Sequence, residues 1–281
     1  MDNRPIGVFD SGLGGLAIVK QLKALLPNER IVYFGDTGRV PYGNRSVKTL
    51  HDYTAQDCNF LLSHDVKLIV AACGTVSSTV SEEFIKALPA PFVGVIKPTA
   101  QAAVNITKTG HIGVIGTNAT VKSGSFVKAI GDCGQNIVVS SKACPLFVSL
   151  VEHGYIQPDN AATLEVARDY LDFMRDSSAD TLILGCTHFP ILASVIKKAV
   201  GREITLVDPG VYTSQLVANI LKENNMLSET RCGDDAFFVS DHGERFGEIA
   251  STFMGYDISD CVVTAKVDKL PTTLTGGKYG K

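Results

Sequence analysis

The sequence lacks the features of a membrane protein and of a nucleic-acid-binding protein. No apolar run in its 281 residues approaches the ~18 that a membrane-spanning helix needs. Its 26 basic and 29 acidic residues give a net charge of −3, so there is no basic excess to attract nucleic acid or an anionic membrane. Residues 1–5 lack the basic and apolar regions of a signal peptide. We therefore expect a cytoplasmic protein without nucleic-acid or membrane partners.

The sequence also lacks closely spaced cysteine pairs. No two of its seven cysteines form a C-x-x-C pair, so a zinc site has no local support and we expect no metal. An odd number of evenly spread cysteines does not suggest a disulfide framework, and in a reducing compartment these residues are thiols. The positions are 58, 73, 133, 144, 186, 232 and 261.

Short apolar runs alternate with longer segments of helical period. Residues 6–9, 31–34 and 68–72 are predicted strands, and apolar positions three and four apart predict a helix over residues 46–64. Nearly continuous apolar strands that alternate with helices indicate an α/β fold, with a parallel sheet covered on both faces. In such sheets ligands bind outside the carboxyl ends of the strands.

An internal repeat divides the chain into two similar parts. Four short segments recur in the same order and at similar offsets, which indicates a duplication. The pairs are 6–8 with 112–114, 30–32 with 136–138, 67–73 with 181–186, and 95–98 with 206–209. We therefore predict two pseudo-symmetric α/β halves with the active site in the cleft between them.

Each half places one cysteine directly after a predicted strand and before a helix. A lone cysteine is usually just a small buried residue. However, Cys73 and Cys186 occupy equivalent positions, and the potential at a helix N-terminus lowers a thiol pKa from ~8.5 toward neutrality. Two thiols on opposite walls of a cleft suit removal of a proton from one face of a carbon and its return to the other. The pair thus predicts inversion at a carbon centre.

Polar residues after the other strands are candidate substrate contacts. Asp10 suits a substrate ammonium, and Ser11 with nearby backbone N–H groups suits a carboxylate. The Tyr42 hydroxyl and the Gly43 N–H are further candidate donors, whereas Thr117 either binds the substrate or caps a helix. Two more titratable candidates remain. They are Glu152 and His188, of which His188 is the stronger because it lies two residues after Cys186.

A second interpretation is a dinucleotide site. Gly12-x-Gly14-x-x-Ala17 follows a strand, and Asp36 lies 24 residues after Gly12, which approximates the dinucleotide fingerprint. Asp10 would repel a pyrophosphate at this place, and the paired cysteines would stay unexplained. We rank this interpretation second.

Taken together, the motifs resemble the glutamate racemase family from residue 6 to about residue 255. The resemblance is carried by residues 7–15, 33–37, 40–43, the Cys73 segment, 143–146, 151–152 and 185–190. It implies two flavodoxin-like halves, a homodimer, and racemisation of glutamate without a cofactor, which supplies D-glutamate for bacterial peptidoglycan. The first half would comprise residues 1–97 and 209–265 and the second residues 98–208, followed by a flexible tail over 266–281.

The resemblance also implies roles for individual residues. Cys73 and Cys186 would be the proton donor and acceptor pair, assisted by Asp10, Glu152 and His188. The substrate contacts would be Asp10, Ser11, Tyr42, Gly43, Gly74, Thr75, Thr187 and His188.

One position departs from the family pattern. The family usually has Cys-Asn-Thr, whereas Gly74 follows Cys73 here. The missing amide hydrogen bond would be worth roughly 0.5–3 kcal/mol if nothing replaced it. Two alternatives therefore stay open: racemisation of a related substrate such as aspartate or a hydantoin, and non-catalytic binding of an amino acid.

Overall fold

The chain forms two compact units. The computed structural model describes residues 2–134, 136–175, 177–243 and 246–274. Unit 1 comprises the residues up to Gly94 and from Thr213 onward, and unit 2 comprises Val95–Tyr212. The boundaries expected from the sequence, after residues 97 and 208, lie a few residues away. Among the described helices, none is both long enough and apolar enough to cross a membrane.

Strands and helices alternate along most of the chain. The strands are β1 (Ile6–Asp10), β2 (Ile31–Gly35), β3 (Leu68–Ala71), β4 (Phe92–Gly94), β5 (His111–Gly116), β6 (Val138–Ala143), β7 (Thr181–Leu184), β8 (Thr205–Val207), β9 (Ala236–Val239) and β10 (Val262–Thr264). The helices are α1 (Leu16–Leu25), α2 (Val47–Ser63), α3 (Gly74–Thr79), α4 (Glu82–Ala87), α5 (Ile96–Ile106), α6 (Asn118–Ser123), α7 (Ser125–Cys133), α8 (Leu146–Glu152), α9 (Ala161–Tyr170), α10 (Asp172–Arg175), α11 (Ala193–Val200), α12 (Pro209–Glu223) and α13 (Phe246–Met254). Short 3₁₀ turns occur at Thr37–Arg39, Tyr42–Asn44, Phe189–Leu192 and Ser259–Cys261.

Each unit contains one parallel sheet, and the two sheets share a strand order. The order is β10-β9-β2-β1-β3-β4 in unit 1 and β6-β5-β7-β8 in unit 2. All these neighbours pair in parallel. The run β2-β1-β3-β4 therefore has the same order as the whole sheet of unit 2, with β1 equivalent to β5 and β3 to β7. The predicted fold class of two parallel-sheet α/β halves is confirmed.

Burial explains why the strands have apolar runs rather than alternating patterns. Every residue of β1, β2, β3 and β7 is buried, as expected when helices cover both faces of a parallel sheet. Helix α2 shows the complementary helical pattern. The Ser46 side chain accepts a hydrogen bond from the Thr49 N–H at 3.2 Å and so caps its first turn.

The C-terminal segment differs from the flexible tail expected from residue 266. Residues 266–274 are held against α2: the Gln56 amide donates to the carbonyls of Asp268 and Leu270, at 3.3 and 2.9 Å. The side chain of Val267 is 1% exposed and belongs to the core of unit 1. The expectation was wrong for these residues because composition does not show side chains elsewhere that bind a segment's backbone. Residues 275–281 lie outside the described part of the chain.

A buried ion pair joins distant segments at the amino end of the unit 1 sheet. The Lys67 ammonium lies 2.6 Å from a Glu29 carboxylate oxygen, and both side chains are almost fully buried. Lys67 also donates to the carbonyls of Asp2 and Met226. Glu29 accepts hydrogen bonds from the backbone N–H and hydroxyl of Ser228. The pair thus connects the N-terminus, β3 and the segment after α12.

We expect Lys67→Met to lower the free energy of unfolding by about 3–5 kcal/mol, because it leaves the Glu29 carboxylate buried without its cation. Glu29→Leu should cost a similar amount, and the double variant should lose less than the sum of the two. Urea denaturation measures all three. Lys48→Met is the control, since its pair with Asp52 is exposed and is worth less than ~1 kcal/mol. A loss for Lys67→Met no larger than for this control would contradict the structural role of the pair.

Candidate functional site

The first group of site residues in unit 1 is a turn organised by Asp10. Asp10 ends β1 and is 1% exposed. One of its carboxylate oxygens accepts hydrogen bonds from the N–H groups of Gly12 and Gly15, both at 3.1 Å. Asp10 therefore shapes the turn from β1 into α1, in addition to the substrate role that the sequence predicts.

The Gly12 carbonyl of this turn is held by Tyr33 and lies close to the backbone of Gly35. The buried Tyr33 hydroxyl donates to the Gly12 carbonyl at 2.7 Å. Burial, with smaller contributions from Asp10 and Cys73, raises the pKa of Tyr33 well above its usual value, so the hydroxyl stays a neutral donor. A Cβ at Gly35 would lie 2.5 Å from the same carbonyl oxygen, so this position requires glycine.

Cys73 lies beside this turn. It follows β3, is 5% exposed and is the N-cap residue of α3. Its thiol donates to the Ser11 hydroxyl at an S–O distance of 3.5 Å. Gly74 and Thr75 form the buried first turn of α3. The structure therefore brings together Asp10, Ser11 and Cys73, as expected from their positions at the carboxyl ends of neighbouring strands.

The Tyr42 hydroxyl, predicted as a substrate donor, points instead to two carboxylates of unit 1. Tyr42 is 1% exposed, and its hydroxyl contacts the Asp36 carboxylate closely and an Asp57 oxygen at 3.1 Å. These contacts use the hydroxyl inside unit 1, so its expected role as a substrate donor is corrected. Gly43, in the same 3₁₀ turn, is half-buried.

The site residues of unit 2 form a chain from a thiol to a carboxylate. Cys186 follows β7 and is 9% exposed. Its sulfur lies 3.9 Å from His188 Nδ1, and His188 Nε2 lies 3.0 Å from Glu152 Oε1 at the end of α8. Thr187 Oγ1 is 3.4 Å from the same Nδ1. The dipeptide Glu152-His153 thus contributes its glutamate to the site, through the histidine that follows Cys186.

The contacts of His188 favour its cationic form. Burial alone lowers the pKa of His188, but the hydrogen bonds to Cys186 and Glu152, together with their negative charges, outweigh it and raise the pKa to about 10. At neutral pH His188 is therefore an imidazolium, and it lies beside the Cys186 sulfur.

Two further residues of unit 2 have structural roles. Thr117 accepts a hydrogen bond from the Thr120 N–H at 3.2 Å, so it acts as the helix cap that the sequence left as one of two options. Cys144 follows β6 and is fully buried. Burial is the main cause that raises its pKa to about 12, so Cys144 stays a thiol.

Sequence reasoning missed Asp57 and Arg39. Arg39 donates to Asp36 at 2.6 Å and to Asp57 at 3.0 Å. A signal for Asp57 was present: it lies three residues after Thr54 and four before Leu61, on the face of α2 that the period assigns to the core. A carboxylate on such a face needs a buried partner.

The dinucleotide interpretation conflicts with these contacts. Asp36 is completely buried and bonded to Arg39 and Tyr42, so it is not placed to bind a ribose hydroxyl. The N–H groups of Gly12 and Gly15, which would face a pyrophosphate, donate to Asp10.

Comparison with known proteins identifies the family of the chain. The family described as Asp/Glu/Hydantoin racemase matches residues 16–217. The glutamate racemase of Geobacter metallireducens is 42% identical to this chain, over 92% of this chain and 95% of that protein. The glutamate racemase of Bacillus cereus is 43% identical, over 92% and 96%. The crystal structure of the Francisella tularensis enzyme in complex with D-glutamate matches with a TM-score of 0.88 and 37% identity, over 95% of this chain and 99% of that one. The chain belongs to the aspartate, glutamate and hydantoin racemase family.

Proposed function

We propose that this chain interconverts L- and D-glutamate without a cofactor, with Cys73 and Cys186 as the two bases. The observation that carries the proposal is the pair of cysteines at equivalent strand ends of two similar sheets, one beside a serine hydroxyl and the other beside an imidazolium. Relatives at 42% and 43% identity are named glutamate racemases, which favours glutamate as the substrate.

The two cysteine environments suit opposite protonation states. In the proposed resting state, Cys73 is a thiol that donates to Ser11, and Cys186 is a thiolate next to the His188 imidazolium. The Cys186 thiolate takes the α-proton, so a C–H bond breaks and an S–H bond forms. Cys73 then gives its proton to the other face of the α-carbon. The second enantiomer and the reversed protonation states result, from which the opposite reaction starts. This scheme requires the two sulfurs to lie on opposite sides of the α-carbon.

The other site residues bind the substrate in this proposal. Asp10 pairs with the ammonium, because one of its oxygens is held by the turn and fixes the carboxylate in place. The carboxylates of glutamate bind hydroxyls and backbone N–H groups, which are strong donors at helix starts. The proposed contacts of this kind are Ser11, Gly43, Gly74, Thr75, Thr187 and His188, with Tyr42 holding the loop that carries Gly43.

The resemblance to the family adds a cellular role to the proposal. D-Glutamate made by this chain would supply bacterial peptidoglycan synthesis, in the cytoplasm. The chain would act as a homodimer, which sedimentation of the purified protein measures directly.

We expect Cys73→Ala and Cys186→Ala each to lower racemisation by at least about 10²–10⁴-fold, because each removes one of the two proton-transfer groups. Circular dichroism of L- or D-glutamate follows the reaction. In D₂O, the wild type should place deuterium in the product enantiomer while the remaining substrate keeps its proton. Cys232→Ala, at an exposed cysteine, is the control. Wild-type rates in either active-site variant would overturn the two-base assignment.

We expect Glu152→Gln to lower kcat/KM by about 10- to 100-fold, since hydrogen bonds to charged groups are worth about 1.5–3 kcal/mol. The value of kcat/KM should fall by the same factor for both enantiomers, because the equilibrium constant of racemisation is one. A raised histidine pKa means that the cation persists up to that pKa, so activity should fall as the pH rises through about 10. Removal of the Glu152 charge should move this alkaline limb to lower pH. Glu165→Gln, on the surface of α9, should leave the pH profile unchanged. An unshifted limb in Glu152→Gln would show that Glu152 does not act through His188.

We expect Gly74→Asn to lower KM for glutamate by about tenfold, because it adds the amide that the family pattern has at this position and one hydrogen bond is worth about 0.5–1.5 kcal/mol. Steady-state kinetics with glutamate and aspartate measure the effect and the substrate preference together. If aspartate is the better substrate of the wild type, glutamate is the wrong assignment. If glutamate binds but no α-proton exchanges, the chain is a binding protein.

A further inference from the structure

A buried polar network lies under the loop that carries Tyr42 and Gly43. Asp36 and Arg39 begin this loop, and the Arg39 guanidinium binds the Asp36 carboxylate at 2.6 Å. On α2, Asp57 accepts from Arg39 at 3.0 Å and Gln56 accepts from another nitrogen of Arg39. The guanidinium also lies 4.1 Å from the centre of the Tyr53 ring. Helix α2 therefore holds the start of the loop through a single arginine.

The end of the same loop is held by the same carboxylates. The Tyr42 hydroxyl contacts Asp36 closely and lies 3.1 Å from Asp57. A phenol hydroxyl has one hydrogen and can donate to one of two carboxylates. The contacts are satisfied if Asp57 keeps its own proton and donates to Tyr42, which in turn donates to Asp36. Burial first, and the Asp36 charge second, raise the pKa of Asp57 well above its usual value, in agreement with this arrangement.

The loop also contacts the turn that carries Asp10 and Ser11. A Cβ built at Gly12 would lie 3.3 Å from the Val40 side chain, so Val40 packs against that turn. A displacement of the loop would therefore disturb both groups of substrate contacts proposed for unit 1.

The network continues into the C-terminal segment. Gln56, which binds Arg39 through its carbonyl oxygen, donates its amide to the backbone of Asp268 and Leu270. One turn further along α2, Asn59 donates to the carbonyls of Pro271 and Thr273, both at 2.9 Å. Gln56 thus joins the C-terminal segment to the loop, whereas Asn59 binds the segment at a greater distance from the loop.

We propose that Arg39, Gln56 and Asp57 are positioning residues that hold the Tyr42–Gly43 loop in its substrate-binding conformation, and that residues 266–274 support this conformation through Gln56. The inference rests on the proposed function, because Gly43 is a proposed substrate contact. These three residues act through the loop and do not touch the substrate.

We expect Asp57→Leu to raise KM about tenfold or more and to change kcat by less than about threefold, because a misplaced loop weakens ground-state binding while both thiols stay in place. Asp57→Asn is the conservative variant. Its amide donates to Tyr42 and its carbonyl accepts from Arg39, as a protonated Asp57 does, so KM should stay within about threefold of the wild type. A KM for Asp57→Leu equal to that of Asp57→Asn would overturn the proposal.

The C-terminal contribution is tested with a matched pair of variants. Gln56→Leu and Asn59→Leu each remove two hydrogen bonds to the segment. Gln56→Leu also removes the contact with Arg39, so it should lower the melting temperature somewhat more. Only Gln56→Leu should raise KM. Equal KM values for the two variants would show that the segment stabilises unit 1 without positioning the loop.

Amide hydrogen exchange of residues 37–46 separates this inference from the proposed function. Exchange should be faster in Asp57→Leu and Gln56→Leu than in the wild type, and unchanged in Asn59→Leu, whatever the substrate. If the wild type does not racemise glutamate, the proposed function fails. The exchange data still test whether Asp57 and Gln56 hold the loop in place. Unchanged exchange in all variants of an active enzyme would overturn the network's role alone.

Discussion

The contacts of His188 with Cys186 and Glu152 are the electrostatic constraint on which the site of unit 2 depends. A histidine that is 6% exposed would ordinarily be neutral, since burial disfavours the charged form. The Cys186 sulfur and the Glu152 carboxylate reverse this preference and raise the pKa of His188 to about 10. Because Glu152 is 37% exposed, water screens part of its charge, and the contact with the buried sulfur has the larger effect. The sulfur and the carboxylate together therefore hold His188 in its cationic form.

The two units share a strand order but differ in the residues after the strands. Cys73 has a neutral serine hydroxyl as a partner, whereas Cys186 has a cation. Equivalent strand ends carry the two cysteines, and the loops that follow give them different partners. The residues at the ends of the equivalent strands β1 and β5 differ in the same way. Asp10 is a buried carboxylate, whereas Thr117 is a helix cap. An amino-acid ligand with one ammonium needs such an asymmetry.

The sequence predicted the fold class because burial on both faces of a parallel sheet leaves a direct record in apolar runs. It also predicted which residues gather at the strand ends, since Asp10, Ser11 and Cys73 follow neighbouring strands. It did not predict contacts between residues whose positions show no common pattern. Arg39 binds Asp57 across 18 positions, and Gln56 binds residues more than 200 positions away. Such contacts depend on side-chain direction, which neither periodicity nor composition specifies, and for this reason the C-terminal segment was misjudged.

Carboxylates after strands were the hardest residues to assign, because a carboxylate can bind a ligand or shape its own turn. Three of them accept hydrogen bonds from within their units: Asp10 from Gly12 and Gly15, Asp36 from Arg39, and Asp208 from Gly210. For Asp36 the internal partners include a guanidinium, which neutralises the charge and leaves no reason to attract a substrate cation. Asp10 accepts hydrogen bonds from two backbone amides, which orient its carboxylate. The guanidinium of Arg39 therefore argues against Asp36 as the partner of a substrate ammonium, a role that the proposal gives to Asp10.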